Sequence, residues 1–168
     1  VTHVAAGRGP GSFTGIRVAL AAAKGFAIAV GAEGPGVSCL AAMAQAARAE
    51  RPELRDSYIV ATVDTRRGSF FCQAFNSSGP VEDAIVEVDA EAPLDIPQSW
   101  SGAMVIGAGA AVMTSAGAGG DLMAVTGVPA LDALQVARLA AQRMRDGVAP
   151  EPLTPLYVAP AFLGPPSR

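Results

Sequence analysis

The sequence predicts an α/β protein in which a helical first segment leads into a strand-rich second one. Three observations carry this reading. Residues 9–30 pass from a glycine-dense corner, GPGSFTG, into a largely apolar helical run holding only two charges, Arg17 and Lys24. Residues 57–89 change to β-branched and aromatic runs punctuated by TRRG and NSSGP, which is how a strand meander reads. Residues 104–146 then alternate strand and helix. A meander followed by such alternation suggests a ribonuclease-H-like unit in the second half.

Each element has its own signal. THVAAG (2–7) reads as a short buried strand ending at the glycine corner. Ser12 or Thr14 caps the next helix by accepting from first-turn N–H groups. That helix runs to about Val30 and stops in GAEGPG; a second follows over 38–50 with Ser38 as its cap. One strand and two helices cannot make a sheet, so partner strands are expected from residues missing here or from another chain. The chain also opens on Val1, already inside a strand, and a preceding segment is expected. SYIVATVD (57–64) and SFFCQAF (69–75) form a hairpin across TRRG, and AIVEVD (84–89) adds a third strand. MVIGAGA (104–110) is a buried strand entering a second glycine corner, and LMAV (122–125) is another short strand. The last helix spans about Leu131 to Asp146 and stops at Gly147. Its stripe Leu134, Ala137, Ala141 and Met144 is expected to face the core, with Gln135, Arg138, Gln142 and Arg145 in water. PLYV (155–158) reads as an extended tail. The expected divisions are therefore 1–54, 55–150 and 151–168.

Composition limits what the chain does. Hydrophobic residues make up 51% and charged ones 16% of 168 residues, which suits a folded soluble protein. A net charge of −3 argues against this chain gripping a nucleic-acid backbone alone. Eleven Arg against one Lys, with much Ala, Gly and Pro, is the usage of a GC-rich genome. Cys39 and Cys72 are too few for a disulfide scaffold and read as buried thiols in a reducing cytosol. No signal peptide is visible, and Ile16–Val30 is shorter than the ~20 residues of a bilayer span, so no membrane role is expected. His3 is the only histidine, which excludes a two-histidine zinc site and reads as a packed or strand-edge residue. Asp64, at a strand end, suits a metal ligand or base, or caps the turn that follows. Arg66 and Arg67 stand at the hairpin tip, in solvent or against a partner.

The glycine corner poses the sharpest question. Backbone N–H groups at a helix start favour an anion, which makes Gly9, Gly11, Ser12, Thr14 and Gly15 candidates for phosphate contact. The pattern is off, however. A Walker loop needs Gly-Lys-Ser/Thr where this chain has Gly15-Ile16-Arg17, and the dinucleotide fingerprint is missed by one residue. Pro10 also removes a donor. The helix beyond is apolar on every face except the one bearing Arg17, Ala21, Lys24 and Ile28, so it needs cover on more than one side. A sheet supplies one side. The other falls to a neighbouring helix of this chain or to a partner. Gly15, Val18, Ala19, Ala22, Gly25 and Phe26 are the candidate partner contacts, and the small residues Ala19, Ala22, Ala23, Gly25, Ala27 and Ala29 would permit close backbone approach.

GPGSFTGIRVALAAAKGFA (9–27), PGVSCLAAMA (35–44), VDTRRGSFF (63–71) and a closing PLYV (155–158) resemble the TsaB (YeaZ) group of the glycoprotease-like family. The resemblance covers nearly the whole chain. It implies an actin/Hsp70/sugar-kinase-like fold of two ribonuclease-H-like lobes, the first incomplete here at its N-terminus. It implies a non-catalytic cytoplasmic subunit of the bacterial complex that makes N6-threonylcarbamoyladenosine in tRNA. The implied partners are the catalytic metal-binding subunit TsaD, in a heterodimer formed by first-lobe helices, and the ATPase TsaE. It further implies tRNA held through the complex, a homodimer in isolation, and no catalytic residue, metal or cofactor in this chain, with ATP only at the complex. Two features depart from the group: its opening Asp-Thr-Ser strand is absent, and Ser69 stands where an acid often follows Arg-Arg-Gly. The alternative, from a different class, is a nucleotide-binding ATPase or phosphotransferase using GPGSFTG.

Overall fold

The computed structural model describes residues 1–82, 84–91, 96–115, 121–128 and 130–158. Its main sheet has six strands. β3 (Ile59–Asp64) lies at the centre, antiparallel to β4 (Ser69–Asn76) across the TRRG turn. The far edge of β4 carries β5 (Gly79–Pro80) and β6 (Val86–Asp89), both antiparallel. On its other side β3 pairs in parallel with β7 (Met104–Gly107), and β7 with β8 (Met123–Ala124). The expected meander is present, and the strands after it join in parallel.

The sheet is covered on both faces, which is why β3 is apolar at consecutive positions. Ile59 and Ala61 join Phe75 and Ile106 beneath α2 (Cys39–Glu50) and α4 (Ala133–Arg145), against Leu40, Ala44, Ala47 and Leu139. On the opposite face Val60, Cys72, Ala74 and Val105 pack with Trp100 and with Met113 of α3 (Ala110–Ser115). The expected core role of Cys72 holds, and burial pushes its thiol up to about 12. The fully buried Thr62 fastens β3 to the corner after β7. Its hydroxyl donates to the Ile106 carbonyl at 2.7 Å and accepts from Gly109 N–H at 2.8 Å. Gly107 turns that corner at φ +93°, where a Cβ would lie 2.1 Å from the Thr62 carbonyl oxygen.

Several expectations are corrected. The first segment has a small sheet of its own, in which β1 (Ala6–Gly9) pairs in parallel with β2 (Gly36–Ser38), a strand the sequence reading did not expect. The strand expected at 2–7 starts later, with only a single bridge between His3 and Glu33 before it. β2 is three residues between glycines and a helix cap, too short to show a period. α3 has no counterpart among the expected elements.

The last helix buries a different face from the one expected. Leu134, Ala137 and Ala141 are exposed, whereas Gln135, Val136, Leu139 and Ala140 are buried. Gln135 is satisfied there because it closes a capping box with Asp132, accepting from Asp132 N–H while Asp132 accepts from Gln135 N–H. The face is chosen by α2 and the β1–β2 pair, not by the helix's own stripe.

Residues 151–158 do not hang free. Gly36 N–H donates to the Glu151 carbonyl at 2.7 Å and Leu156 N–H to the Arg8 carbonyl at 2.9 Å. The Glu151 carboxylate takes both Arg8 and Arg143, and Leu153 is buried. Residues 159–168 lie outside the described ones.

Candidate functional site

α1 (Phe13–Val30) follows the glycine corner as expected. Ser12 Oγ accepts from Gly15 N–H at 3.2 Å, so Ser12 rather than Thr14 is the cap, and Gly31 ends the helix at φ +63°. At 1.5 Å per residue it is about 27 Å long. Only one narrow stripe is covered. Leu20, Ala23 and Ala27 are buried and Ile16 half-buried, against Val4, Ala6 and Leu153.

Everything else on α1 faces out. All six expected contact positions, Gly15, Val18, Ala19, Ala22, Gly25 and Phe26, are exposed. Val18 is 63%, Phe26 66% and Ile28 83% accessible. Directly opposite the buried stripe run Val18, Ala21, Ala22, Gly25 and Ala29, a row of small side chains bordered by Phe26 on one side and Ile28 on the other. Nothing lies within 4 Å of a Cβ built on Gly25. By length and a mean hydropathy of 1.5 this helix is also apolar enough to cross a membrane, although it is seated on β1 and carries Arg17 and Lys24.

The glycine corner opens onto a second feature, a cleft of about 1450 Å³. Gly11, Ser12 and Thr14 line one wall, facing Asp64, Arg66 and Arg67 of the β3–β4 hairpin. Gly9 serves the corner itself. Its φ is +107°, and a Cβ there would sit 2.8 Å from Ile16 Cδ1. Gly15 lies against its own cap, where a Cβ would meet Ser12 Oγ at 3.3 Å.

Other candidates resolve locally. Asp64 Oδ1 accepts from Arg66 N–H at 2.6 Å, the turn-capping alternative of the two considered. Arg66 stands in solvent with φ +61°, and Arg67 lies 3.8 Å from Glu87. His3 is a strand-edge residue 3.6 Å from Glu33. Burial raises the Cys39 thiol as well. Among the described residues no group of three or more His, Cys, Asp or Glu side chains is placed to hold a metal ion.

One contact has no sign in the sequence. The Arg17 guanidinium lies 3.6 Å from the Phe13 ring centroid and donates to Tyr157 Oη at 2.9 Å. The tail therefore reaches both α1 and the cleft, which Tyr157 also lines. Arg17 and Tyr157 are 140 residues apart, and no local signal joins them.

Residues 1–101 match the profile of the family described as "TsaD: tRNA N6-adenosine threonylcarbamoyltransferase". The Escherichia coli (strain K12) "tRNA threonylcarbamoyladenosine biosynthesis protein TsaB" is 42% identical over 73 residues, 42% of this chain. That match spans 29% of the relative's length. Two solved structures share the fold. "YeaZ from Pseudomonas aeruginosa" has a TM-score of 0.73 at 24% identity, covering 94% of this chain and 74% of its own. A second, titled as a protein "with similarity to peptidase YEAZ from Pseudomonas aeruginosa", has a TM-score of 0.72 at 21% identity, covering 95% and 74%. With its mixed sheet, its glycine corner and this profile match, the chain belongs to the tRNA N6-adenosine threonylcarbamoyltransferase (TsaD) family, and within it the likeness is to TsaB, or YeaZ.

Proposed function

We propose that this chain is a non-catalytic subunit of the cytoplasmic machinery that makes N6-threonylcarbamoyladenosine in tRNA, and that it acts by presenting α1 to the catalytic subunit TsaD. The observation that carries the reading is the uncovered apolar face of α1 around Val18, Ala22, Gly25 and Phe26. An exposed apolar surface of this kind marks an interaction site, and the name of the E. coli relative supplies the biological setting. On this reading the architecture is a pair of ribonuclease-H-like lobes, with TsaE joining the assembly. tRNA is held mainly by the partners, which agrees with the net charge of −3, and no membrane is involved. In isolation the same face pairs with a second copy.

Co-expression with TsaD tests this. Ala22→Asp, at an exposed position, should abolish copurification while leaving the fold intact by circular dichroism. Undiminished pairing overturns the proposal.

The cleft supports a second reading, a nucleotide-binding ATPase or phosphotransferase, because Gly11, Ser12 and Thr14 line it. Micromolar ATP binding that is lost in Gly11→Val would favour that reading; no binding would exclude it.

A further inference from the structure

Residues 151–158 lie against β1, β2, α1 and α4, and the chain leaves room for them. Neither Gly34 nor Gly36 has a positive φ, so no turn calls for glycine at either place. What calls for it is the tail. A Cβ on Gly34 would run into Leu153 Cδ1, and one on Gly36 into the Pro152 carbonyl oxygen and the Arg8 side chain. Leu153 fills the space so kept, buried with Leu20 and Ala23 of α1. Glu151 is the fixed point. Its carboxylate takes Arg8 of β1 and, at 2.7 Å, Arg143 of α4, so one anion joins an early strand to the last helix. Those arginine side chains are only 12% and 26% exposed, and without the anion two shielded cations would face each other. Beyond the pin, Arg8 Nε donates to the Thr154 carbonyl at 2.8 Å and Leu156 N–H to the Arg8 carbonyl at 2.9 Å. The far end is held lightly, by an exposed Tyr157 resting on Arg17.

These eight residues serve two places at once. Leu153 is part of the seat of α1, whereas Pro155, Leu156, Tyr157 and Val158 form part of the cleft wall. We infer that residues 151–158 are a strap, pinned at Glu151, that ties the seat of α1 to the wall of the cleft, so that the two loosen and tighten together. Its second state is a local opening in which the strap peels from the Gly34–Gly36 groove while the main sheet stays closed. A body that pushes Tyr157 out of the cleft wall is then felt under Leu20, and a shift of α1 is felt in the cleft. The inference does not depend on what α1 meets or on what the cleft holds.

Two substitutions lift the strap from opposite sides. Glu151→Gln keeps the shape of the pin and removes its charge. Gly36→Ala, which at an ordinary φ is otherwise neutral or favourable, drives a methyl group into the Pro152 carbonyl. In each variant amide exchange should quicken roughly tenfold in residues 152–158 and at Leu20–Ala23, the scale of one partly exposed charge-assisted hydrogen bond, and should stay unchanged in β3 and β4. Labelling with 3-fluorotyrosine gives two ¹⁹F resonances, one for each tyrosine. The Tyr157 resonance should move toward the position of the free amino acid, with Tyr58 as the unmoved control. Tyr157→Phe cuts only the light end and should change exchange at Leu20–Ala23 less than about threefold. The inference is overturned if both variants free residues 152–154 while Tyr157 and α1 behave as in the wild type, or if nothing quickens. It is equally overturned if β3 and β4 quicken as much as the strap, which would make Glu151 a staple of the whole fold, or if Tyr157→Phe matches Glu151→Gln, which would move the pin to the tyrosine.

Discussion

α1 and α2 are both alanine-rich, and the more apolar of them is the more exposed. In α2 six of twelve residues are buried, Leu40, Ala41, Ala42, Ala44, Ala46 and Ala47, because the helix is wedged between the main sheet and α4. In α1 three of eighteen are buried, because among the described residues Val4, β1 and the returning tail cover a single stripe of it. Helix composition therefore does not decide cover; the neighbours do. A buried alanine in α2 is part of the packed core. An exposed one in α1 keeps a surface smooth.

Substitutions can break that contrast. The largest effect is expected at Ala44, which is 1% exposed. Ala44→Asp should bury an unpaired carboxylate and destabilise the fold by at least about 3 kcal/mol, or prevent folding. The matching change on α1, Ala22→Asp, should cost no more than about 0.5 kcal/mol in urea unfolding. Equal losses would dissolve the distinction. Next, Leu20→Ala removes the largest buried side chain under α1 and should cost about 2 kcal/mol. Amide exchange should quicken in α1 more than in α2, and a uniform change across both would count against separate footings. Asp132→Ala, opening the capping box of α4, should cost about 1 kcal/mol. Thermal unfolding of this variant reports whether a helix chosen by its neighbours still depends on its cap.

The smallest effect concerns pH. The folded state holds the Cys72 proton from 9.0, the ordinary value, up to about 12, after the unfolded chain has released it. Stability is thus complete below pH 9 and declines as pH rises toward 12. Burial moves Cys39 the same way. Cys72→Ala should flatten the decline of the urea midpoint between about pH 9 and 11, and an unaltered slope would remove Cys72 as its source.

Local chemistry was legible in the sequence. Ser12 and Ser38 act as caps, TRRG as a hairpin turn and Gly147 as the stop after α4, because each needs only neighbours within a few residues. What escaped is what distant residues decide. Gln135 is buried and Leu134 exposed because α2 and the β1–β2 pair determine how α4 turns. β2 exists because β1 lies beside it. For α1 the pattern called for cover on more than one side, from this chain or a partner, and among the described residues only one stripe is covered. Its contact with Tyr157 carried no signal, since an aromatic near the chain's end looks the same whether or not an arginine waits for it.

The return of Leu153 beneath Leu20 has a bearing on synthesis. α1 leaves the ribosome well before its seat is complete, since Leu153 lies 133 positions after Leu20 (153 minus 20). Until then α1 rests on β1 alone, with its oily sides open to any passing chaperone. If α1 is the docking helix proposed above, its recognition by another subunit follows translation of the tail, because a rod not yet seated is a poor template for recognition.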